Sequence, residues 1–522
     1  MKLIALPLLA SLVLASVSST FAADPAGAAT PPASAEKNSF QEVTSQLDPG
    51  GNVYLYLGTE QCLEGLAGKI SEYRHLLDSI PDLPDEVREN IDKGVNIVTN
   101  LIKSSGLEDI SGLGISSIAR EKGFYHSKIV VHHYPGRGSG FGWNLCGQKA
   151  HPLDTLNLLS TNTALATFGD LDVPLLWSTI QKQAAQSGFP QATDLLKELP
   201  SHFEKATGLN WEKVLASLGG EYGLVFCLNE SRKVKIPLPG GDEPMEIPEP
   251  SLMIIAKTRD DTIFNRVDAA LTKSGQTVFR TDKPNLKMRT LSLPLPLPFP
   301  VAPSIASAEG YLFIATSDLL IQEALAVKAG TVPGLKSTPE FQRLAKESPA
   351  QGNQFTFVSQ RLSRTIADLQ RRAVASSVSA SQRQWLETLL EKSNHAYLYS
   401  VSANTDQGWV AVANGNQHPG TLLAVSAVIP ASLVAAMALP AVAKAKSAAQ
   451  RNSCIANLRK IDRAKKDWAL ENNKGDDALP KKTDLLPFLQ PKQFPVCPSG
   501  GDYTLNPVSE RPECSVDGHA IP

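Results

Sequence analysis

The sequence lacks the motifs by which common catalytic and cofactor sites are recognised. Its 522 residues contain no HExxH pair, no Walker-type phosphate-binding loop and no EF-hand calcium loop. Ser139 does not form the GxSxG elbow of serine hydrolases, because position 137 is Arg. We therefore expect a protein that is not an enzyme and needs no cofactor, although a catalytic site assembled from distant residues would leave no motif.

The sequence also lacks an excess of either charge. It has 50 Lys and Arg against 52 Asp and Glu, which gives a formal net charge of −2. Such a balance provides no overall attraction to a polyanion, so no nucleic-acid partner is predicted. The hydrophobic fraction of 42% permits a large core, and the length predicts two or three domains.

Four histidines surround a glycine-rich loop, residues 136–142, without forming a metal-binding pattern: His126, His132, His133 and His151. Neighbouring His132 and His133 point to opposite faces of a strand, so both cannot bind one ion. The loop is expected to join two strands rather than to open a helix, which excludes a phosphate cradle. No metal site is predicted in this region.

The N-terminus has the pattern of a secretory signal peptide. Lys2 precedes the apolar stretch 3–17, and small residues at positions 20 and 22 fit a signal-peptidase site. We expect a signal peptide over 1–22 and a disordered Ala/Pro/Ser-rich leader over 23–39; an uncleaved anchor is the alternative. Both predict a protein of the bacterial cell envelope that is periplasmic and membrane-associated.

Residues 40–418 repeat a short apolar strand, a polar turn and an amphipathic helix, which predicts one exported α+β domain. Antiparallel sheets with helices on one side are expected, with two similar halves that meet near 230–250. Polar residues near the turns are expected to cap the helices: Thr59, Asp170, Asp260, Ser317 and Ser359. The same pattern, over about 45–415, weakly resembles exported bacterial proteins of unknown function.

Three strand pairs are predicted from alternating apolar and polar residues. They are 124–134 with 141–147, 222–228 with 232–238, and 396–404 with 408–415.

An apolar helix is predicted over 419–443, where residues 421–443 carry no charge. A run of this length can cross a bilayer, and the basic segment that follows fits the cytoplasmic side. A helix buried against protein, or paired with another helix of the same kind, is the alternative. The membrane is therefore an expected partner, and the two alternatives place the C-terminus in different compartments.

The C-terminal module, 444–522, begins with an amphipathic helix. Its apolar residues recur every three or four positions and form one stripe for packing: Ile455, Leu458, Ile461, Ala464 and Trp468. The run from Ala435 onward resembles the long helix of type IV pilin-like proteins and type II secretion pseudopilins. That resemblance implies an apolar stem with a proline, here Pro440, then an amphipathic helix and a small globular head.

The head also resembles the disulfide-closed end of some pilin-like proteins. The resemblance implies a Cys497–Cys514 disulfide that closes a loop of about 17 residues and contributes roughly 3 kcal/mol. Free thiols are one alternative. Zinc bound by Cys497, Cys514 and His519 is another, with a fourth ligand from Cys454 or elsewhere, although a CxxC pair is lacking. Otherwise the remaining cysteines favour buried free thiols: Cys62, Cys146, Cys227 and Cys454.

These observations predict a non-enzymatic bacterial cell-envelope protein with a structural or interaction role. It would dock on envelope or secretion-assembly proteins through the pilin-like helix. The alternative is a periplasmic binding or carrier module for an apolar ligand.

Overall fold

The computed structural model of the chain describes residues 38–72, 85–236, 244–292, 301–377, 396–416, 451, 453–489 and 493–521. The predicted signal peptide, the apolar helix 419–443 and nearly all of the leader lie outside the described residues. None of the helices within the described ranges has the length and apolar character needed to cross a membrane.

The described strands form one large sheet and two small ones. The large sheet has 13 strands in the order β1-β2-β3-β15-β14-β13-β5-β6-β7-β11-β10-β9-β8, and all of its pairs are antiparallel. The strand bounds are β1 Val53–Gly58, β2 Ile110–Glu121, β3 Phe124–His133, β4 His151–Pro152, β5 Thr163–Asp170, β6 Leu218–Ile236, β7 Met245–Thr258, β8 Val278–Lys283, β9 Leu286–Leu291, β10 Ser304–Ala308, β11 Tyr311–Ala315, β12 Gln351–Gly352, β13 Gln354–Val358, β14 Leu398–Thr405, β15 Gly408–Gly415, β16 Tyr503–Thr504 and β17 Glu513–Cys514.

Helices connect these strands, so the α+β class is confirmed. Their bounds are α1 Phe40–Thr44, α2 Glu60–Leu63, α3 Leu66–Glu72, α4 Asp85–Ser105, α5 Phe141–Asn144, α6 Val173–Gln186, α7 Pro190–Thr207, α8 Trp211–Ser217, α9 Thr262–Lys273, α10 Asp318–Lys328, α11 Pro339–Leu344, α12 Gln360–Ser377, α13 453–471 and α14 Lys482–Leu485.

The chain divides into two compact units, Met1–Ile429 and Pro430–Pro522. The first unit contains the large sheet and the second contains α13, α14 and the β16–β17 hairpin.

Alternating side chains along β13 show how the sheet builds its core. Phe355 and Phe357 are fully buried on one face, and Phe355 stacks on Phe168 of β5 with ring centroids 5.1 Å apart. Thr356 points to the other face, where its hydroxyl lies 3.1 Å from that of Thr167. Period-two alternation of this kind gives each strand two chemically different faces.

The prediction of helices on one side of the sheet is wrong. Phe313 of β11 packs in the main core with Leu320 and Ile321 of α10. The preceding residue, Leu312, packs with Phe264 of α9. Neighbouring residues of a strand point to opposite faces, so α9 and α10 cover different sides. Sequence periodicity reports which residues are buried but not which side a following helix takes.

One of the three predicted strand pairs is confirmed. Strands β14 and β15 form the hairpin expected over 396–404 and 408–415. Residues 141–144 form α5 instead of a strand, and Trp143 is buried with its indole N–H donating to the Gly106 carbonyl at 2.9 Å. The helix begins within the glycine-rich loop, at Phe141, against the expectation that the loop opens no helix.

The third predicted pair, 222–228 with 232–238, is also wrong. Both segments except 237–238, which lie outside the described residues, belong to the single strand β6, which pairs along its length with β7. The polar residues between them cause a shift in register after Asn229 rather than a chain reversal. Residues 233–236 therefore pair with 245–248 within one sheet.

The expected helix caps are partly confirmed. The hydroxyls of Ser317 and Ser359 accept from amides in the first turns of α10 and α12, and Asp260 accepts from the first amide of α9. Thr59 and Asp170 do not cap. The Thr59 hydroxyl donates to the first carbonyl of β2, and the Asp170 carboxylate binds a histidine.

That histidine, His151, forms a charged pair within the first unit. Its Nε2 lies 3.0 and 3.1 Å from the two carboxylate oxygens of Asp170, and its Nδ1 lies 2.9 Å from the Pro152 carbonyl. Both ring nitrogens therefore face acceptors, which favours the doubly protonated ring. The hydrogen bond to Asp170 raises the pKa of His151 to about 9, against the opposing effect of burial.

We predict that this pair makes the stability of the first unit depend on pH. A histidine pKa raised from about 6.5 in the unfolded chain contributes stability that is complete below that pH and is lost as pH rises through about 9. Urea unfolding at pH 6 and pH 9.5, followed by circular dichroism, should show this loss. It should disappear in His151→Gln and persist in His202→Gln, which changes an exposed histidine of α7; an unchanged pH dependence in His151→Gln would contradict the assignment.

Candidate metal centre

One face of α13 is fully buried in the second unit. Cys454, Leu458, Ile461 and Lys465 follow one another at spacings of four, three and four residues, and each has 0% of its surface exposed. Such spacing places side chains on one stripe of a helix. The stripe packs on the head, where Tyr503 and Leu505 belong to the same cluster.

The predicted packing residues occupy different depths on this helix. Leu458 and Ile461 are fully buried and Ala464 is 1% exposed. Trp468 is partly buried against the same cluster, and Ile455 is half-buried. At the N-terminal end of the stripe, the fully buried residue is Cys454 rather than Ile455.

Two short segments of the head bring Cys497 and Cys514 beside the helix. Cys514 lies in β17 and pairs with Tyr503 of β16. Cys497 begins a turn in which the Gly500 amide donates to its carbonyl at 3.0 Å. The amides of Ser499 and Gly501 hydrogen-bond to the Cys497 sulfur. A turn of this kind presents backbone N–H groups to a negatively charged sulfur.

Cys454, Cys497, Cys514 and His519 converge at one point. One potential ligand atom from each residue lies within 4.8 Å of the other three. The Cys497 sulfur is 3.7 Å from the Cys514 sulfur and 3.7 Å from Nδ1 of His519. A tetrahedral ion with Zn–S bonds of about 2.3 Å separates two sulfur atoms by about 3.8 Å. The spacing of the cluster therefore fits a four-coordinate metal ion.

The predicted Cys497–Cys514 disulfide is not present in this structure. All six cysteines, including these two, are free thiols. Their sulfur separation of 3.7 Å is well beyond the bond length of about 2.05 Å in a disulfide.

The electrostatics of the cluster differ from one thiol to the next. Burial alone would raise the pKa of the Cys497 thiol, but hydrogen bonds from the Ser499 and Gly501 amides and from His519 lower it to about 6. Burial raises the pKa of the Cys454 thiol to about 12. Metal ligation requires thiolates, and a divalent cation bound among these sulfurs would itself remove the remaining protons.

Tyr503 contacts Cys454 but is not itself one of the four potential metal ligands. Its hydroxyl donates to the Cys454 sulfur at 3.4 Å and lies 3.3 Å from the Asn457 side-chain amide. Burial raises the pKa of Tyr503 well above its usual value, so the phenol keeps its proton. A neutral phenol that donates to a thiolate fixes the orientation of that ligand, as outer-shell partners of metal sites do.

Lys465 holds the head at the other end of the buried stripe. Its ammonium group donates to the carbonyls of Leu505, Pro507 and Glu510 at 2.5, 2.8 and 2.7 Å. Burial lowers the pKa of this amine, but three acceptors match the three donors of an ammonium ion. The loop 505–510 is thereby tied to α13 independently of the cysteines.

The sequence indicates this ligand set only as an alternative to the Cys497–Cys514 disulfide. The absence of a CxxC pair disfavours zinc, and the sequence leaves Cys454 as either a buried free thiol or the fourth ligand. Cys454 stands four residues before Leu458 on the buried stripe. Cys454 therefore has what a further ligand requires, a position on the helix that faces the head. His519 follows Cys514 by five residues.

The four histidines around the glycine-rich loop do not form a comparable centre. Their Nδ1 atoms lie against separate groups, Asn414 for His126, Ser111 for His132, Tyr134 for His133 and Pro152 for His151. Among the residues that the structure describes, the cluster in the second unit alone meets the distance requirement for a metal ion.

Comparisons of the chain with protein-family models, curated proteins and solved structures find no match. Function is therefore inferred from the geometry of the chain itself.

We predict that Lys465→Met destabilises the second unit strongly while Lys466→Met does not. Methionine fills similar space but cannot donate, and each buried carbonyl left without a donor costs about 1–3 kcal/mol. Lys466 is 64% exposed and pairs with Asp462 four residues earlier, a pair worth a few tenths of a kcal/mol. Hydrogen exchange of residues 503–514 measures the effect; equal protection in the two variants would contradict it.

Proposed function

We propose that residues 453–521 form a structural zinc module and that the protein has a structural or interaction role rather than a catalytic one. The observation that carries this proposal is the convergence of Cys454, Cys497, Cys514 and His519 within 4.8 Å.

The ligand set favours zinc over other common metal ions. Thiolates are soft ligands that select Zn²⁺, Cu⁺ or iron–sulfur clusters over Mg²⁺ and Ca²⁺. Three cysteines and one histidine in tetrahedral arrangement are one of the standard sets of structural zinc sites. Imidazole as the fourth ligand suits zinc better than an iron–sulfur cluster, which is usually held by four thiolates.

A site closed by four protein ligands supports structure rather than catalysis. Catalytic zinc sites keep one position for water or substrate, whereas structural sites fill all four with side chains. Cys454 and Cys497 are buried and His519 is 8% exposed.

The size of the second unit explains why it would need a metal ion. Its described part is shorter than 80 residues, and the buried core consists of α13 packed on short head segments. Domains of this size often need a disulfide or a metal ion, because their cores are too small to fold alone. Zinc would join the helix to both segments of the head, whereas a Cys497–Cys514 disulfide would join only the head to itself.

A place in the cell envelope forms the second part of the proposal. It is supported by the signal-like N-terminus, 1–22, and by the resemblance of the C-terminal region to pilin-like proteins. Within that resemblance, α13 would continue the apolar stem and the head would cap it, and envelope or secretion-assembly proteins would be the partners. A carrier role for an apolar ligand stays a prediction from the sequence.

A zinc site also removes a conflict between topology and cysteine chemistry. If 419–443 crosses the membrane, the head faces the cytoplasm, where disulfides are rarely stable. A thiolate zinc site forms readily in that compartment because it requires reduced cysteines. The module is thus compatible with the topology that the basic residues after 443 favour.

We predict that the protein, purified in reducing buffer with zinc, retains one zinc ion per chain. Cys514→Ser should weaken zinc binding by more than about 100-fold, beyond the loss expected from an outer-shell change. Cys62→Ser is the matched control, because this exposed thiol lies in the first unit. Elemental analysis after gel filtration, with zinc titration against a competing chelator, measures both variants.

Removal of the metal should also release structure in the second unit alone. Chelation should raise hydrogen exchange throughout 453–521 and leave the large sheet protected, because zinc binding and folding are coupled in small modules. Full protection of 453–521 from exchange after removal of zinc would contradict the proposal. Equal zinc binding by the Cys62→Ser and Cys514→Ser variants would also contradict it.

A further inference from the structure

Two of the four candidate ligands are placed to react with each other. The sulfurs of Cys497 and Cys514 are 3.7 Å apart, so they need to approach by only about 1.7 Å to reach bonding distance. Cys514 is partly exposed, whereas Cys497 and Cys454 are buried. A reagent from solution therefore reaches Cys514 first, and the Cys497 sulfur lies 3.7 Å from the Cys514 sulfur.

The head cysteines and the helix cysteine are held differently. A Cβ atom at Gly501 would lie 2.9 Å from the Cys514 sulfur, so only a glycine fits beside this sulfur. Cys497 and Cys514 both belong to the head, on short segments outside any long helix. Cys454 is fully buried on α13 and receives a hydrogen bond from Tyr503. The head pair can close by a local shift, while Cys454 is fixed by the helix.

We propose that Cys497 and Cys514 are a reversible oxidation site: reaction with a disulfide, on a small molecule or a protein, joins them and expels the zinc ion. This inference rests on the zinc site proposed above. It assigns the two sulfurs alternative roles, as metal ligands in the reduced chain and as bonded partners in the oxidised chain.

The reaction is a two-step thiol–disulfide exchange. The Cys514 thiolate attacks the external disulfide, which forms a mixed disulfide and releases one external thiolate. The Cys497 thiolate then attacks the Cys514 sulfur of that mixed disulfide, which forms the intramolecular bond and releases the second external thiolate. The two protein sulfurs lose two electrons and the external disulfide gains them. Zinc leaves as the divalent cation because Cys454 and His519 alone provide half of a tetrahedral set.

The two states would hold different parts of the module together. In the zinc state, α13 is joined to both head segments through Cys454. In the disulfide state, the bond closes the loop 497–514 but makes no link to the helix. Oxidation should therefore loosen the turns of α13 around Cys454, while Lys465 continues to hold the loop 505–510 further along.

The test uses the full chain with Cys62→Ser and Cys146→Ser, which removes the other cysteines that are not buried. The zinc-loaded protein is treated with oxidised glutathione. Released zinc is measured with a chromophoric chelator, and the disulfide is mapped by mass spectrometry of unreduced peptides. We expect one zinc ion released for each Cys497–Cys514 bond, faster exchange at 453–458 than at 503–510, and recovery of zinc binding after reduction.

Three results would overturn the inference while leaving the zinc site intact. The first is a chain that retains zinc although the Cys497–Cys514 bond has formed. The second is a chain that releases zinc and forms a bond that includes Cys454. The third is a chain that retains both zinc and reduced thiols after treatment with excess oxidant. Cys514→Ser in the same background serves as the matched variant, and a disulfide that it forms within the second unit of one chain must join Cys454 to Cys497. A starting protein that binds no zinc in reducing buffer contradicts the proposed function itself, and the inference with it.

Discussion

The convergence of a helix cysteine with two head cysteines and a histidine is the constraint on which the second unit depends. Cys454 is fully buried on α13, and its neighbours in the cluster come from segments more than 40 residues later in the chain. Three thiols packed within 4.8 Å of one another without a bond or an ion would gain little from their proximity. A cation that binds all four groups gives the arrangement a physical cause and closes a module that is otherwise short of core.

The first unit uses its polar groups in the opposite way. The four histidines around its glycine-rich loop each lie beside a nearby polar group, as in the His151–Asp170 pair at 3.0 Å. Its stability comes from a continuous antiparallel sheet whose alternating side chains fill cores on both faces. Buried polar groups of this kind satisfy one another and fix the packing, which leaves the chemistry of metal binding to the small unit.

Local patterns predicted much of the fold and part of the site. Period-two alternation identified β14 and β15, and helical spacing identified the side of α13 that faces the head. The side of the sheet taken by α9 and the helix at 141–144 depend on contacts distant in sequence, which a single sequence does not reveal. The sequence pattern places Cys454 on α13, but only the approach of Cys497, Cys514 and His519 in space makes it a candidate ligand.

The most direct test of this account is X-ray absorption at the zinc edge of the full chain, purified and loaded in reducing buffer. The account predicts a first shell of three sulfurs at about 2.3 Å and one nitrogen at about 2.0–2.1 Å. Replacement of His519 by Ala should remove the imidazole contribution and keep the sulfur shell. A first shell of oxygen and nitrogen alone, or a chain that binds no zinc under these conditions, would contradict the account.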